Sequence, residues 1–267
     1  MPVTWDPDRY LQFQKQRSRP LAGLLAQIDA PGAVTVADVG CGPGTDTALL
    51  RDCWPTAHIE AVDSSTEMIE RANAENATAE QPDTQVTYSV GDVSAWRAAS
   101  GPESVDVVVA NALFQWVPDH RRVIARIATE SVAPGGYLAF QVPGNFASPS
   151  HQAMKTLAAD PDFADAIGDV NRLEVFSPSV YIRDFRRLGW QVDGWETTYQ
   201  HQLTGDDPVF DWVSGTGLRP YLEGLDEATA NAFTARLKVM LRADYPADEN
   251  GMTILGFRRI FVVAQRV

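Results

Sequence analysis

The chain has 267 residues, 45% of them hydrophobic, which suffices for one large core or one core with a sizeable insertion. Its 35 acids against 22 bases leave a formal charge of −13, which argues against nucleic acid or an anionic membrane as partner. No basic-then-apolar leader is visible, no apolar run approaches the ~18 residues of a membrane span, and two cysteines make no disulfide framework, so a cytoplasmic protein is expected.

In chain order, residues 1–18 form a polar lead-in, and Arg19 to Asp29 predicts a first helix with Leu21, Leu24, Leu25 and Ile28 on one face. Val34 to Val39 is short, apolar and β-branched, the pattern of a buried parallel strand. A helix over 46–54 follows, so Gly40, Gly42 and Gly44 occupy a strand-to-helix turn. Glycine there lets the backbone bend tightly and approach a ligand with no Cβ in the way.

The spacing narrows the ligand. A dinucleotide loop reads GxGxxG, with its pyrophosphate at the helix N-terminus, but here Thr45 stands in place of the third glycine. Asp38, just under the loop, would repel a pyrophosphate and suits an ammonium or sulfonium. S-adenosylmethionine carries both and no phosphate. The plain alternative is a glycine-rich turn of any doubly wound protein.

His58 to Asp63 predicts a second strand ending in an acid, near the ~20-residue offset at which an acid meets ribose hydroxyls. Ser64 with Glu67 has capping-box spacing for a helix through Ala77 that carries Met68 in its first turn. Gln85 to Val90 is a third strand, followed by Asp92 and Val93, where the acid is placed to accept from an adenine amino group. Asp63 and Asp92 could each be ordinary turn residues; three acids at successive strand ends favour a site. Cys41 lacks a nearby histidine, so a nucleophilic role for it is weakly supported.

Val105 to Ala110 and Tyr137 to Val142 complete the alternation, with a helix over 119–132 between them. The expectation is an α/β fold, a doubly wound seven-stranded sheet with Rossmann-like crossovers. Beyond residue 143 come helices over 148–159 and 177–188, a strand over 190–203, two helices over 206–222 and 226–244, and a last strand over 254–263. Residues 204–250 are thereby expected as a helical lid inserted before the last strand. The whole is expected as one domain, with a cofactor half over 31–143 and a substrate half over 144–267.

The motifs VADVGCGPGT, AVDSSTEMI, GDVSAW and NALFQW resemble those of class I S-adenosylmethionine-dependent methyltransferases. More narrowly the chain resembles the trans-aconitate 2-methyltransferases in Asp6 to Tyr10, Arg17 to Pro20, Asn111 to His120, Gln141 to Asn145, Trp195 to His201, Asp211 to Val213, Thr216 to Pro220, Glu249 to Gly251 and Phe257 to Val263. It departs from them in the pair Arg258-Arg259, where a single arginine matching Arg259 is expected.

That resemblance implies methyl transfer to a carboxylate of trans-aconitate, giving a monomethyl ester and S-adenosylhomocysteine. A carboxylate with a reference pKa of about 4 is ionised at neutral pH, so no catalytic base and no metal are expected. Arg17, Arg19, Arg219 and Arg259 are candidates for clamping a small polycarboxylate, with Tyr199, His201, Asn145 and Trp212 beside them. For the cofactor, Asp38 with Gly40, Gly42 and Gly44 would hold the methionine part, Asp63 the ribose, and Ser64, Met68, Asp92 and Val93 the adenine. Asn111 and Gln115 would border the reacting side. The rival readings are a methyltransferase for a phenol, an amine or another acid, an NAD-dependent oxidoreductase, and a non-catalytic binding module.

Overall fold

The computed structural model describes residues 14–168, 174–215 and 217–267, with side chains from residue 19 onward. Strand β1 (Thr35–Val39) leads into helix α2 (Thr47–Cys53), after a first helix α1 (Gln14–Leu25). Then come β2 (His58–Asp63), α3 (Thr66–Thr78), β3 (Val86–Val90), β4 (Val105–Asn111), a 3-10 turn (Phe114–Trp116), α4 (His120–Glu130) and β5 (Val132–Pro143). The remainder is α5 (Pro149–Ala158), α6 (Ala164–Ile167), α7 (Pro178–Arg187), β6 (Gln191–Thr204), α8 (Pro208–Ser214), α9 (Arg219–Leu222), α10 (Glu227–Asp244) and β7 (Met252–Gln265).

The seven strands form one sheet in the order β3-β2-β1-β4-β5-β7-β6. Pairs among β1 to β5 are parallel, and β7 runs antiparallel to β5. The order reverses at β1, and ligands of such sheets bind at the carboxyl edge beside that switch point.

The chain divides into two compact units. The first spans 18–143, 175–197 and 259–267 and carries the parallel strands. Its core joins one face of β4 and β5 (Val108, Ala110, Leu138, Phe140) to the apolar stripe of α4, Val123, Ile124, Ile127 and Ala128. Two acids of this unit hold backbone amides. Asp106, the one acid in β4, accepts from the Val34 and Thr35 amides at 2.8 and 3.0 Å and so secures the start of β1. Glu60 accepts from the Ala99 and Ser100 amides, both at 2.8 Å.

The second unit spans 144–174 and 198–258, with helices α5, α6 and α8 to α10. Leu157, Phe163, Trp212, Phe233, Leu237 and Leu241 share its core. Asp226 caps α10 by accepting from the Thr229 amide at 2.9 Å.

Several boundaries differ from expectation. The first helix begins before Arg19 and carries Pro20 inside it. The helix expected over 206–222 is two, α8 and α9, separated by a stretch that includes Gly215 and Gly217. Glycine costs a helix interior about 1 kcal/mol, so the run breaks there. The cap of α3 is Ser65, not Ser64: its hydroxyl accepts from the Met68 amide at 3.3 Å. β5 begins at Val132, with a register irregularity opposite Val105 and Val107.

Candidate active site

The register of the first unit places the polar strand ends together. Asp38 pairs with Ala61 on one side and Val109 on the other. Asp63 and Asn111 each lie two residues beyond those partners, and Asn111 pairs with Gln141. Pro143, two beyond Gln141, pairs with Arg259. Side chains alternate with period two, so Asp38, Asp63, Asn111, Gln141 and Arg259 all point from one face near the carboxyl ends of β1, β2, β4 and β5.

The glycine loop closes on this face. Gly40, Gly42 and Gly44 all have positive φ, at 80°, 55° and 83°. A methyl added at Gly40 would come within 2.8 Å of Leu113 Cδ1, and one at Gly44 within 2.8 Å of the Tyr88 hydroxyl. At Gly42 the same position meets no atom of the described residues within 4 Å. The backbone is thus packed from below at two glycines and open at the middle one.

Asp38 is 2% exposed and accepts from the Thr47 hydroxyl at 2.7 Å. Burial, reinforced by the charges of Asp46 and Asp63, pushes its carboxyl up to about 7. Burial also raises Asp46, against the lowering effects of an Asn111 hydrogen bond and the Arg259 charge. Asp63 accepts from the Gly42 amide at 3.0 Å and the Ser65 amide at 2.9 Å, one bond per oxygen, which leaves further lone pairs. Carboxylates gathered at one loop, with Asp38 and Asp46 raised by burial and Asp38 further by its neighbours' charges, favour a cationic ligand and disfavour a phosphate.

The other end of this face is basic. Arg259, 7% exposed, donates to Gln141 Oε1 at 3.2 Å. Gln141 Nε2 donates to Asn111 Oδ1. Asn111 Nδ2 donates to Asp46 Oδ2 at 2.7 Å. Gln115 is 5% exposed and donates to the Ala112 carbonyl at 2.5 Å, while its Oε1 has no hydrogen-bond partner among the described residues. Ala112 itself adopts φ of 53°, a conformation costly for a residue with a Cβ.

The remaining predicted residues are placed as follows. Asp92 is exposed and accepts from the Ser94 amide at 2.7 Å, a turn contact. Val93 is 7% exposed within the core, so only its main chain is left to meet a ligand. Ser64 is exposed and Met68 half-buried. Arg19 is exposed on α1, and the side chain of Arg17 lies outside the described residues. Burial pushes the Cys41 thiol up, which removes it as a nucleophile at neutral pH.

In the second unit, His201 stacks on Trp212 with ring centroids 4.4 Å apart, and Tyr199 stacks beyond it at 6.5 Å. Asn145 brackets the Arg258 backbone: its Nδ2 donates to the carbonyl at 3.1 Å and its Oδ1 accepts from the amide at 2.7 Å. Arg258 also donates to the Gly144 carbonyl at 3.2 Å. Arg259 is tied into the polar chain of the first unit. Arg219 is exposed on α9.

Sequence reasoning missed Asp46, Thr47, Tyr88 and Gln141. Asp46 stood in view directly after the loop, at the N-cap position of α2. Gln141 stood at the head of a resembling segment, Gln141 to Asn145, but its role as a partner of Asn111 and Arg259 appeared only with the register. Among the described residues, no group of three or more His, Cys, Asp or Glu is placed to hold a metal ion. Among the same residues no helix is long and apolar enough to cross a membrane.

Residues 12–193 match the family model described as a methyltransferase domain. A trans-aconitate 2-methyltransferase of Streptomyces avermitilis is 44% identical, covering 98% of this chain and 97% of the relative. One from Mycobacterium tuberculosis is 41% identical, covering 98% and 96%. Among solved structures, the YcgJ protein from Bacillus subtilis superposes with a TM-score of 0.60 at 15% identity, covering 93% of this chain and 98% of that one. A geranyl diphosphate methyltransferase in complex with SAM gives 0.57 at 15% identity, covering 97% and 89%. At such identity the two structures speak for the fold alone.

Proposed function

We infer the reaction from one premise: the chain belongs to the methyltransferase family, with trans-aconitate 2-methyltransferases as relatives along nearly its whole length. On that premise the protein transfers the methyl group of S-adenosylmethionine to a carboxylate of trans-aconitate, giving a monomethyl ester and S-adenosylhomocysteine. The observation that carries this reading is the polarity of one sheet face, with Asp38, Asp46 and Asp63 at one end and the buried guanidinium of Arg259 at the other.

Bound S-adenosylmethionine supplies an electrophilic methyl on a positively charged sulfur. The residues present suit it. Asp38 and Asp46 balance its ammonium, and the spare lone pairs of Asp63 accept from ribose hydroxyls. Gly42 lets the main chain pass close, because nothing among the described residues fills the space its side chain would take. Ser64, Met68, the turn at Asp92 and the main chain at Val93 border the adenine. Asn111 and the buried Oε1 of Gln115 face the reacting side.

The acceptor needs no base. Its carboxylate is ionised at neutral pH, so the protein's work is to orient an oxygen and keep water away. Arg259 does the orienting: a guanidinium can hold one carboxylate by two parallel bonds, which fixes angle as well as distance. A phenol or amine acceptor would instead require a group to take its proton, and no residue on this face is assigned that task.

The test is a methyl-transfer assay over trans-aconitate, cis-aconitate, citrate, isocitrate, a phenol and an amine. Trans-aconitate is expected to give the highest kcat/KM. Arg259→Ala should lower that value by about two orders of magnitude while changing the KM of S-adenosylmethionine less than about fivefold. Equal turnover of all the acids, or an Arg259→Ala loss confined to the methyl donor, would refute the assignment.

A further inference from the structure

We propose that Asn111 and Gln141 form a one-way amide relay running from Asp46 to Arg259, with Gln141 as the positioning residue for the guanidinium. The proposal rests on the reading of Arg259 as the acceptor's clamp.

The relay follows from register. Asn111 and Gln141 are paired residues on neighbouring parallel strands, and Arg259 is the diagonal neighbour of Gln141 across the antiparallel β5–β7 ladder. Diagonal partners on one face lie within reach of long side chains. Asp46 enters from the glycine-loop side, at the N-cap position of α2. Gln141 is 1% and Arg259 7% exposed, so water offers little alternative to these bonds.

Direction is imposed from one end. A guanidinium only donates, so Gln141 must turn its Oε1 toward Arg259. Its Nε2 then faces Asn111, which must present Oδ1. Asn111 is left with Nδ2 toward Asp46, and Asp46 must accept. Flipping either amide sets donor against donor or acceptor against acceptor in a buried site, at the cost of unmade bonds. The relay therefore has one low-energy orientation, and it ties the arginine to the loop that would carry the methyl donor. A reaction that depends on alignment is sensitive to displacements of an ångström or less.

The experiment compares Gln141→Leu, Gln141→Glu, Asn111→Asp and the exchange Asp46→Asn/Asn111→Asp. Gln141→Leu should lower kcat about tenfold or more with trans-aconitate and leave the KM of S-adenosylmethionine within about threefold. Gln141→Glu keeps an acceptor for Arg259 and loses the donor to Asn111, so it should retain the acceptor's KM and lose kcat. Asn111→Asp sets two carboxylates against each other; its loss of activity should shrink as pH falls and a proton is shared between them. The exchange restores a donor at 46 and an acceptor at 111; because Asp46 also faces the donor's ammonium, it is read as kcat at saturating S-adenosylmethionine, where it should recover most of that loss. An exchange variant no better than Asn111→Asp alone, or a Gln141→Leu enzyme with unchanged kcat, would overturn the relay.

Should the wild type methylate no polycarboxylate, the acceptor assignment falls while the relay is still read without turnover. In nitrogen-15-labelled protein, the side-chain amide signal that disappears in Asn111→Asp belongs to Asn111. It should shift in both Gln141→Leu and Asp46→Asn. A signal unmoved by either change would overturn the relay.

Discussion

The acids of the two units live under opposite rules. Around the glycine loop, Asp38 and Asp46 are pushed up by burial and, for Asp38, by neighbouring carboxylates. In the helical unit, Asp160 and Asp207 are lowered by Arg236 and by the pair Lys238 and Arg242. Asp226 is lowered by the backbone amide it caps. The second group is matched within the fold and serves to hold helices. The first group is left electrostatically uncomfortable by the fold, the pattern that supports the proposed donor site there.

The largest break in this contrast should come at the backbone beneath the first group. Gly40→Ala would force a Cβ against Leu113 at a φ of 80°, and both effects oppose folding. A loss of roughly 2–4 kcal/mol is expected, together with weaker binding of S-adenosylhomocysteine. Denaturant titration and calorimetry would measure the two. An unchanged protein would mean that the loop is not held from below.

Asp38 sharpens the contrast through pH. Its folded pKa, about 7, lies above the ordinary 3.8, so the folded chain holds this proton more tightly than the unfolded one. The ligand-free protein therefore gains most from this group below about pH 4, and loses that gain as pH rises to about 7. Asp38→Asn should raise the melting temperature at pH 8 and make little difference near pH 4. The same change should weaken binding of S-adenosylhomocysteine, whose ammonium favours the ionised acid. In the wild type that affinity should rise with pH through neutrality. A destabilised Asp38→Asn protein at pH 8 would show the carboxylate to be structural.

The smallest effect is expected in the helical unit. Asp207→Ala removes the partner of Arg242, at 2.7 Å, and of Lys238, at 3.2 Å. Ion pairs of this sort contribute about 1 kcal/mol or less, so a slight drop in melting temperature with unaltered affinity for S-adenosylhomocysteine is expected. Altered affinity would erase the division of labour between the two sets of acids.

How much was legible depended on the range of the forces involved. The β1 pattern, the three glycines, Asp38 and Asp63 were visible because a strand, a turn and a strand end are local events. Ser65 in place of Ser64 is a one-residue boundary error at such an end. The role of Gln141 was not legible, although the segment it opens was, because that role comes from Arg259, 118 residues away, and from β7 lying antiparallel to β5. The break between α8 and α9 was blurred by apolar residues on both sides of Gly215 and Gly217, where composition alone continues the helical pattern.

The gathering of Asp38, Asp46 and Asp63 at one loop also sets a sequence of events. A trianion approaching before the donor would meet an electronegative threshold, whereas the donor, with a net positive charge, is drawn in and lowers it. Turnover should then be compulsorily ordered, donor first and spent donor last. Binding of trans-aconitate seen by calorimetry only when S-adenosylhomocysteine is already bound would agree. A random-order pattern would mean that this threshold does not gate the second arrival.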